Sequence, residues 1–348
     1  MITLAYDKAQ VLDAMDRIVQ KTMQMDLTWD WPGGVAYYGV AEAYELTQNE
    51  AYLALLKERI DTYIQLGLPQ WTVNTCAMGH CLLALHQATG EAAYWEIIES
   101  KLDYLRNKAP RFAEGILQHT VSPNNDFPEQ AWADTLFMAA FFMLRVGIIQ
   151  EDMALIDDAL TQYKGHIQFL QDKASGLWYH GYSHIARDHM SGFFWGRANA
   201  WAAYTMCQVG RRLPEPYLYP QYMDIDCSLR DQLTGLKLLQ TEGGLWRTVL
   251  DDPESYEELS ASCGIAAAMI VSGNPLHTPY AQRAHEGILQ NISEDGRLLN
   301  VSGGTAIMRD LSGYRDISKD WTQGWGQGLA LAYLTAVLRY ARRAADEG

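Results

Sequence analysis

The segment Val40-Ala-Glu-Ala-Tyr-Glu-Leu-Thr47-Gln-Asn-Glu-Ala-Tyr52 lines up with Leu82-Leu-Ala-Leu-His-Gln-Ala-Thr89-Gly-Glu-Ala-Ala-Tyr94 further along the chain. Each copy runs from an apolar helix through a short polar turn, opened by Thr, to a Tyr. A second helix follows in each. Leu56, Ile60 and Tyr63 in one, and Trp95, Ile98, Leu102 and Leu105 in the other, recur at helical spacing. Lys57, Glu58, Asp61, Glu99, Lys101 and Asp103 fall between them and are expected to give these helices a wet face. A helix that is apolar all round has no solvent side and must be surrounded by protein. A pair of this kind cannot bury itself alone, so further pairs must stack beside it.

Four more apolar segments begin near Asp134, Trp195, Ser260 and Trp325, the first continuing without interruption from Thr135 to Leu144. Amphipathic partners follow at 153–171, 225–239 and 278–291, and Tyr6 to Met23 is available to close a ring. No long alternating run or Asn-Gly hairpin marks a strand. Six helical hairpins with apolar inner members imply an all-α fold, an (α/α)6 barrel. With no linker or low-complexity tract, residues 1–348 are expected to form one catalytic domain.

Charge and cysteine usage narrow the partners. A net charge of −15 argues against nucleic acid and anionic membrane surfaces. The ten-residue apolar run is too short to span a bilayer, and the start of the chain does not read as a signal peptide. Five cysteines, odd in number and without a C-x-x-C pair, suit reduced thiols and a cytoplasmic location. Cys76 and Cys81 are expected to be small core residues. The spacing of His180, His184 and His189 does not suit zinc, and no metal or cofactor is expected.

The connections entering the inner helices carry Trp29-Asp-Trp31, Trp71-Thr-Val-Asn74, Trp132-Ala-Asp134, Trp178-Tyr-His180, Trp195-Gly-Arg197, Gly244-Leu-Trp246 and Trp321-Thr-Gln-Gly-Trp325. Helices in such a barrel alternate direction, so these entries share one end. Tryptophans with a few polar groups at one rim describe a carbohydrate site, because sugar C–H faces stack on indole rings. Asp134, at the mouth of a helix without a polar face, is the leading candidate for the chemistry, since a charge there is costly unless used or paired.

Asn74-x4-Gly79, Trp132-Ala-Asp134, Trp195-Gly-Arg197-x3-Trp201 and Gly244-Leu-Trp246 with Asp251 to Ser260 resemble the unsaturated glucuronyl and rhamnogalacturonyl hydrolases, glycoside hydrolase families 88 and 105. The resemblance covers nearly the whole chain and implies an (α/α)6 barrel needing no metal or cofactor. It also implies release of a 4,5-unsaturated uronic acid from lyase-generated pectin fragments, with Asp134 protonating carbon 4 while water adds at carbon 5. Trp31, Asn74, Trp132, His180, Trp195, Arg197 and Trp201 are the expected substrate-binding residues, with Trp195 at the rim and Trp201 deeper. Arg197 is expected to hold a carboxylate or ring hydroxyls through its bidentate fork. Asn74 departs from the family, which commonly has aspartate there; an amide can position but cannot transfer a proton. The spacing around His180 leans towards the rhamnogalacturonyl branch. The alternatives are a glucuronyl hydrolase acting on glycosaminoglycan fragments, a sugar epimerase and a non-catalytic sugar-binding barrel.

Overall fold

The computed structural model describes residues 2–122, 124 and 127–344. In chain order the helices begin with α1 (Lys8–Gln24), α2 (Trp31–Thr47), α3 (Glu50–Leu66), α4 (Gly79–Thr89), α5 (Ala92–Asn107) and α6 (Phe141–Gln150). They continue with α7 (Met153–Leu170), α8 (Gly196–Arg212), α9 (Tyr222–Leu238), α10 (Leu259–Ser272), α11 (Thr278–Gln290), α12 (Leu311–Arg315) and α13 (Gly324–Tyr340). Among the described residues, strands are confined to three small ribbons: β1 (Ile2–Leu4) with β6 (Ala341–Arg343), β2 (Arg111–Phe112) with β3 (Ile116–Leu117), and β4 (Gln130–Trp132) with β5 (Gly181–Ser183).

The inner ring is α2, α4, α6, α8, α10 and α13, each packed on the next, with α13 returning to α2. The outer ring is α3, α5, α7, α9, α11 and α1, so the expected (α/α)6 barrel is the observed fold. Inner helices are buried on every side; in α10 every residue from Leu259 to Val271 is enclosed. Outer helices bury one stripe, as Tyr52, Leu56 and Ile60 do in α3. The α2–α13 contact is so close that a methyl group on Gly39 would fall 2.7 Å from the Gly328 Cα, so both positions require glycine.

The repeated Thr turn and Tyr have a physical reason. Gln48 and Gly90 end the two inner helices in the left-handed conformation (φ 54° and 72°), which turns the chain outward. The Tyr52 hydroxyl then donates to Asp16 of α1 (3.2 Å), and the Tyr94 hydroxyl to Asp61 of α3 (2.6 Å). Each outer helix is thereby tied to its predecessor. Lys101 breaks the expected wet face of α5: it is fully buried and donates to the Thr75 carbonyl at 3.0 Å, with Trp71 under its ammonium at 3.7 Å. Cys76 and Cys81 are core residues, and burial pushes their thiols up to about 11 and about 12.

The apolar run after Asp134 does not enter the barrel as a plain α-helix. Leu136–Ala140 form a π-helical turn before α6 begins. Such turns insert a residue into the helical ladder and change the direction in which nearby side chains point. The β4–β5 ribbon fixes the other side: Trp132 pairs with Gly181, and the Ala133 amide donates to the His180 carbonyl at 3.0 Å. Asp134 is thus held between a ribbon and a turn, opposite His180. Among the described residues, no helix is long and apolar enough to cross a membrane.

Candidate active site

At the end of the barrel where the inner helices begin lies a cleft of about 240 Å³. Trp31, Asn74, Trp132, Asp134, Trp195 and Arg197 all contribute to its wall. His119, Phe127 and the loop from Gly304 to Ala306 complete it. Larger cavities of about 450 and 620 Å³ lie elsewhere, bordered by the last turns of inner helices (Ile148 and Arg212, and Arg211 and Ser272, respectively). The smaller cleft is the one into which the chemistry-bearing side chains converge.

Asp134 is the carboxylate of this wall among the described residues. Its side chain is 15% exposed, and Oδ2 is buried without a hydrogen-bond partner, 3.5 Å from His180 Nε2. Burial raises the Asp134 carboxyl, but contact with His180 and the fields of His119 and Arg197 outweigh it and hold the group below its ordinary value. Burial pulls His180 down, Asp134 pulls it up and Arg197 pulls it down again, leaving it below its usual value and neutral at neutral pH. A neutral His180 meets Asp134 through its Nε2 edge at 3.5 Å and not as a cation.

Three expectations about the wall need correction. His180 was expected to meet the substrate, but it is fully buried and is absent from the cleft lining, standing behind Trp195 (ring centroids 4.0 Å apart) and Asp134. Trp201 is also fully buried, packed on Phe137 at 5.0 Å within the core, and has no place on the cleft. Its place in the second turn of α8 puts it below the level of the cleft wall. Trp195 does border the cleft, yet it is 1% exposed and not a rim residue. Trp178 and Trp246 are core, whereas Trp321 projects into solvent at 74% exposure. The tryptophan-rich entries mostly plug the barrel end, because indoles with one polar atom fill the space between helix starts.

Arg197 is placed differently from the expected free fork. Its guanidinium lies 4.4 Å from the Trp195 ring and 5.2 Å from Trp325, which in turn stacks on Trp31 at 4.5 Å. Nη1 donates to the Ser302 hydroxyl (2.7 Å) and carbonyl (3.1 Å), and Nη2 to the Gly303 carbonyl (2.9 Å) and Thr305 hydroxyl (3.2 Å). Both ends of the fork thus hold the 302–305 loop against the cleft. Glu258 stands 3.7 Å from Nη1 and supports the same loop by accepting from the Ser302 amide at 2.9 Å. Glu258 also caps α10 through the Ala261 amide. An acidic side chain immediately before an apolar helix was the signal that could have revealed it.

Asn74 opens a 3₁₀ turn, Asn74–Met78, and its Oδ1 is buried without a partner at the cleft wall. Lys101 holds that turn from behind through Thr75. Trp132 is stacked on His119 (4.5 Å, 10° between planes) and donates from Nε1 to Gln130 at 3.0 Å. His119 Nδ1 meets the Thr135 hydroxyl at 3.0 Å. Burial, with smaller opposing effects from Asp134, lowers His119 to about 4. Among the described residues, no three His, Cys, Asp or Glu side chains gather in a metal-holding group.

The lowered His119 has a measurable consequence. Between pH 6.5 and about 4 the unfolded chain binds a proton at this imidazole that the folded cleft refuses. The unfolded state then holds more protons, so this group's contribution to stability falls as pH falls through that window. His119→Gln should therefore show a shallower fall in melting temperature from pH 6.5 to 4 than the parent. Parallel slopes for the two proteins would contradict a buried neutral His119.

A helical barrel with one carboxylate set in an aromatic cleft belongs among the sugar-cleaving enzymes of this architecture, and the comparisons with known proteins agree. The chain belongs to Glycosyl Hydrolase Family 88, whose profile matches residues 7–341. It is 50% identical, over 99% of both chains, to the unsaturated rhamnogalacturonyl hydrolase YesR of Bacillus subtilis (strain 168). A crystal structure from Salmonella enterica serovar Paratyphi A, described as a possible member of the GH105 family, superposes with a TM-score of 0.89 at 27% identity, covering 96% of this chain and 95% of that one. The unsaturated glucuronyl hydrolase of Bacillus sp. GL1 shares the fold, with a TM-score of 0.68 at 17% identity over 95% of this chain and 96% of that one.

Proposed function

We propose that this enzyme releases the 4,5-unsaturated uronic acid from the non-reducing end of lyase-generated rhamnogalacturonan fragments by hydrating the carbon 4–carbon 5 double bond, with the whole chain acting as one catalytic unit. The observation that carries the reading is the cleft. It offers one described carboxylate, together with unpaired polar atoms on Asp134, Asn74 and Trp195, in an aromatic wall. Ordinary glycosidases flank the anomeric carbon with two carboxylates. At about 240 Å³ the space is below the roughly 300–1,000 Å³ of pockets for drug-sized ligands, which suits one terminal ring.

In this reading Asp134 donates its proton to carbon 4 of the enol ether and then takes one from the water that adds at carbon 5. The hydrated sugar is a hemiketal that rearranges and expels the aglycone. Free Asp134 is held ionised, so it must gain a proton before it can act as acid. The substrate's own carboxylate supplies the cause: a second negative charge beside Asp134, in a site from which water is excluded, raises its pKa. Trp132 and Trp195 form part of the apolar wall beside the ring, and Asn74 Oδ1 accepts from a sugar hydroxyl. Arg197 acts mainly by holding the loop that forms one wall. The described cysteines are all unpaired, which suits a cytoplasmic enzyme acting on imported fragments.

The 50% identity to a rhamnogalacturonyl hydrolase supports rhamnose as the aglycone. Loss of the ultraviolet absorbance of the unsaturated sugar reads the reaction directly. The expected result is faster loss with a rhamnose-linked disaccharide than with an amino-sugar-linked one from a glycosaminoglycan. The reverse preference would overturn the aglycone assignment.

A further inference from the structure

Behind Asp134 and His180 sits Tyr314, which belongs to the short helix α12 and is completely buried. Its hydroxyl oxygen lies 3.0 Å from His180 Nδ1, accepts from the Met308 amide at 3.2 Å and stands 3.4 Å from the Ser191 hydroxyl. We propose that Tyr314 is a positioning residue for the hydration reaction: it donates to His180 Nδ1, so that the one proton of the neutral imidazole stands on Nε2, facing Asp134 Oδ2. The proposal rests on the reading of Asp134 as the proton donor.

The assignment follows from counting protons. A neutral imidazole has one N–H and one lone pair, and which nitrogen carries the proton is set by the partner of the other. His180 has a partner at each nitrogen. On the Nε2 side is an ionised carboxylate oxygen, which can only accept. On the Nδ1 side is a phenol, which can do either. With Nδ1 protonated, the Nε2 lone pair would face the negative Oδ2 in a dry site, and both atoms would be left without a donor. With Nε2 protonated, each contact is satisfied: N–H to carboxylate on one side, O–H to Nδ1 on the other. Ser191 competes for the phenol proton from a longer distance, and the Met308 amide occupies an acceptor site on the same oxygen. The charged and titratable groups facing this pair are His119 and Arg197 towards Asp134, and Arg197 and Tyr314 towards His180, with Glu258 beyond Arg197. None of them supplies a second donor to Asp134 Oδ2, which has no other partner.

Tyr314 also lies within the segment that supplies part of the cleft wall, so a merely structural role is the competing account. Tyr314→Phe keeps the ring against Phe193 and Trp195 and removes only the hydroxyl. Turnover should then fall on the order of 10- to 100-fold, as for other groups that orient a reacting side chain, with little change in KM. Asp134 loses the donor that keeps it ionised, so the alkaline limb of the kcat profile should move to higher pH. In a His180→Gln background the same substitution should cost nothing further, because the imidazole it acts on is gone.

The tautomer itself is readable without any turnover, by nitrogen NMR of the imidazoles, with the His180 signals identified by their loss in His180→Gln. Expected is a proton on Nε2 in the parent and a mixture of tautomers in Tyr314→Phe. A proton on Nδ1 in the parent, or a Tyr314→Phe effect that is undiminished in the His180→Gln background, would overturn the proposal. Failure of the acid–base reading would show separately, as turnover that does not depend on Asp134 despite the expected tautomer.

Discussion

Asp134→Asn is expected to lose turnover by about 10²–10⁴-fold or more, the range general acid–base groups contribute, while binding the unsaturated substrate and melting within a few degrees of the parent. The amide is nearly isosteric with the carboxylate and has no proton to transfer to carbon. The fold should tolerate it because Oδ2 meets only His180 Nε2, at a loose 3.5 Å, and an amide of the same shape can face that nitrogen. Because the carboxyl is held below its ordinary value, its charge contributes some stability, and a small loss in melting temperature is expected. A variant that retains activity within about twofold of the parent would remove Asp134 from the chemistry.

The second large effect concerns Arg197 and is an effect on stability. Its guanidinium is 1% exposed and holds Ser302, Gly303 and Thr305 while facing Glu258. Arg197→Met fills the space between Trp195 and Trp325 but leaves the Glu258 carboxylate buried without its cation. Breaking a buried pair in this way costs about 3–5 kcal/mol. Unfolding monitored by circular dichroism should show a loss of that order, and activity should fall with it because the cleft wall loosens. Arg197→Lys keeps the charge and should recover part of the stability, but not the fork that spans Ser302 to Thr305, so turnover stays low. A loss well under 1 kcal/mol for Arg197→Met would mean that the loop holds itself.

The fold was legible in the sequence because helical periodicity is a local signal, and six apolar helices admit few arrangements. The repeated Tyr52 and Tyr94 even mark the contact that spaces the outer ring. Asp134 was legible for a related reason, a charge where a helix has no wet side. What the pattern carried less well was how tightly each ring is sealed. Trp201 is the deeper of the two, as expected, but has no place on the cleft, and Trp195 borders it while only 1% exposed. His180 was named for the right neighbourhood and the wrong face: it touches Asp134, not the cleft. Glu258, Lys101 and Tyr314 were missed as parts of the site because their partners are far away in sequence, at Ser302, Thr75 and His180. Contacts of that range leave no periodic trace. The π turn after Asp134 is equally silent, since an inserted helical residue looks like any other apolar one.

Solvent labelling tests the central claim, that the double bond is hydrated and the anomeric carbon is not attacked. In heavy water the product should carry one deuterium at carbon 4. In oxygen-labelled water the label should enter at carbon 5, with the glycosidic oxygen leaving on the aglycone, and a saturated uronide of the same linkage should be inert. Label at carbon 1, with efficient cleavage of the saturated uronide, would contradict hydration and point to an ordinary glycosidase.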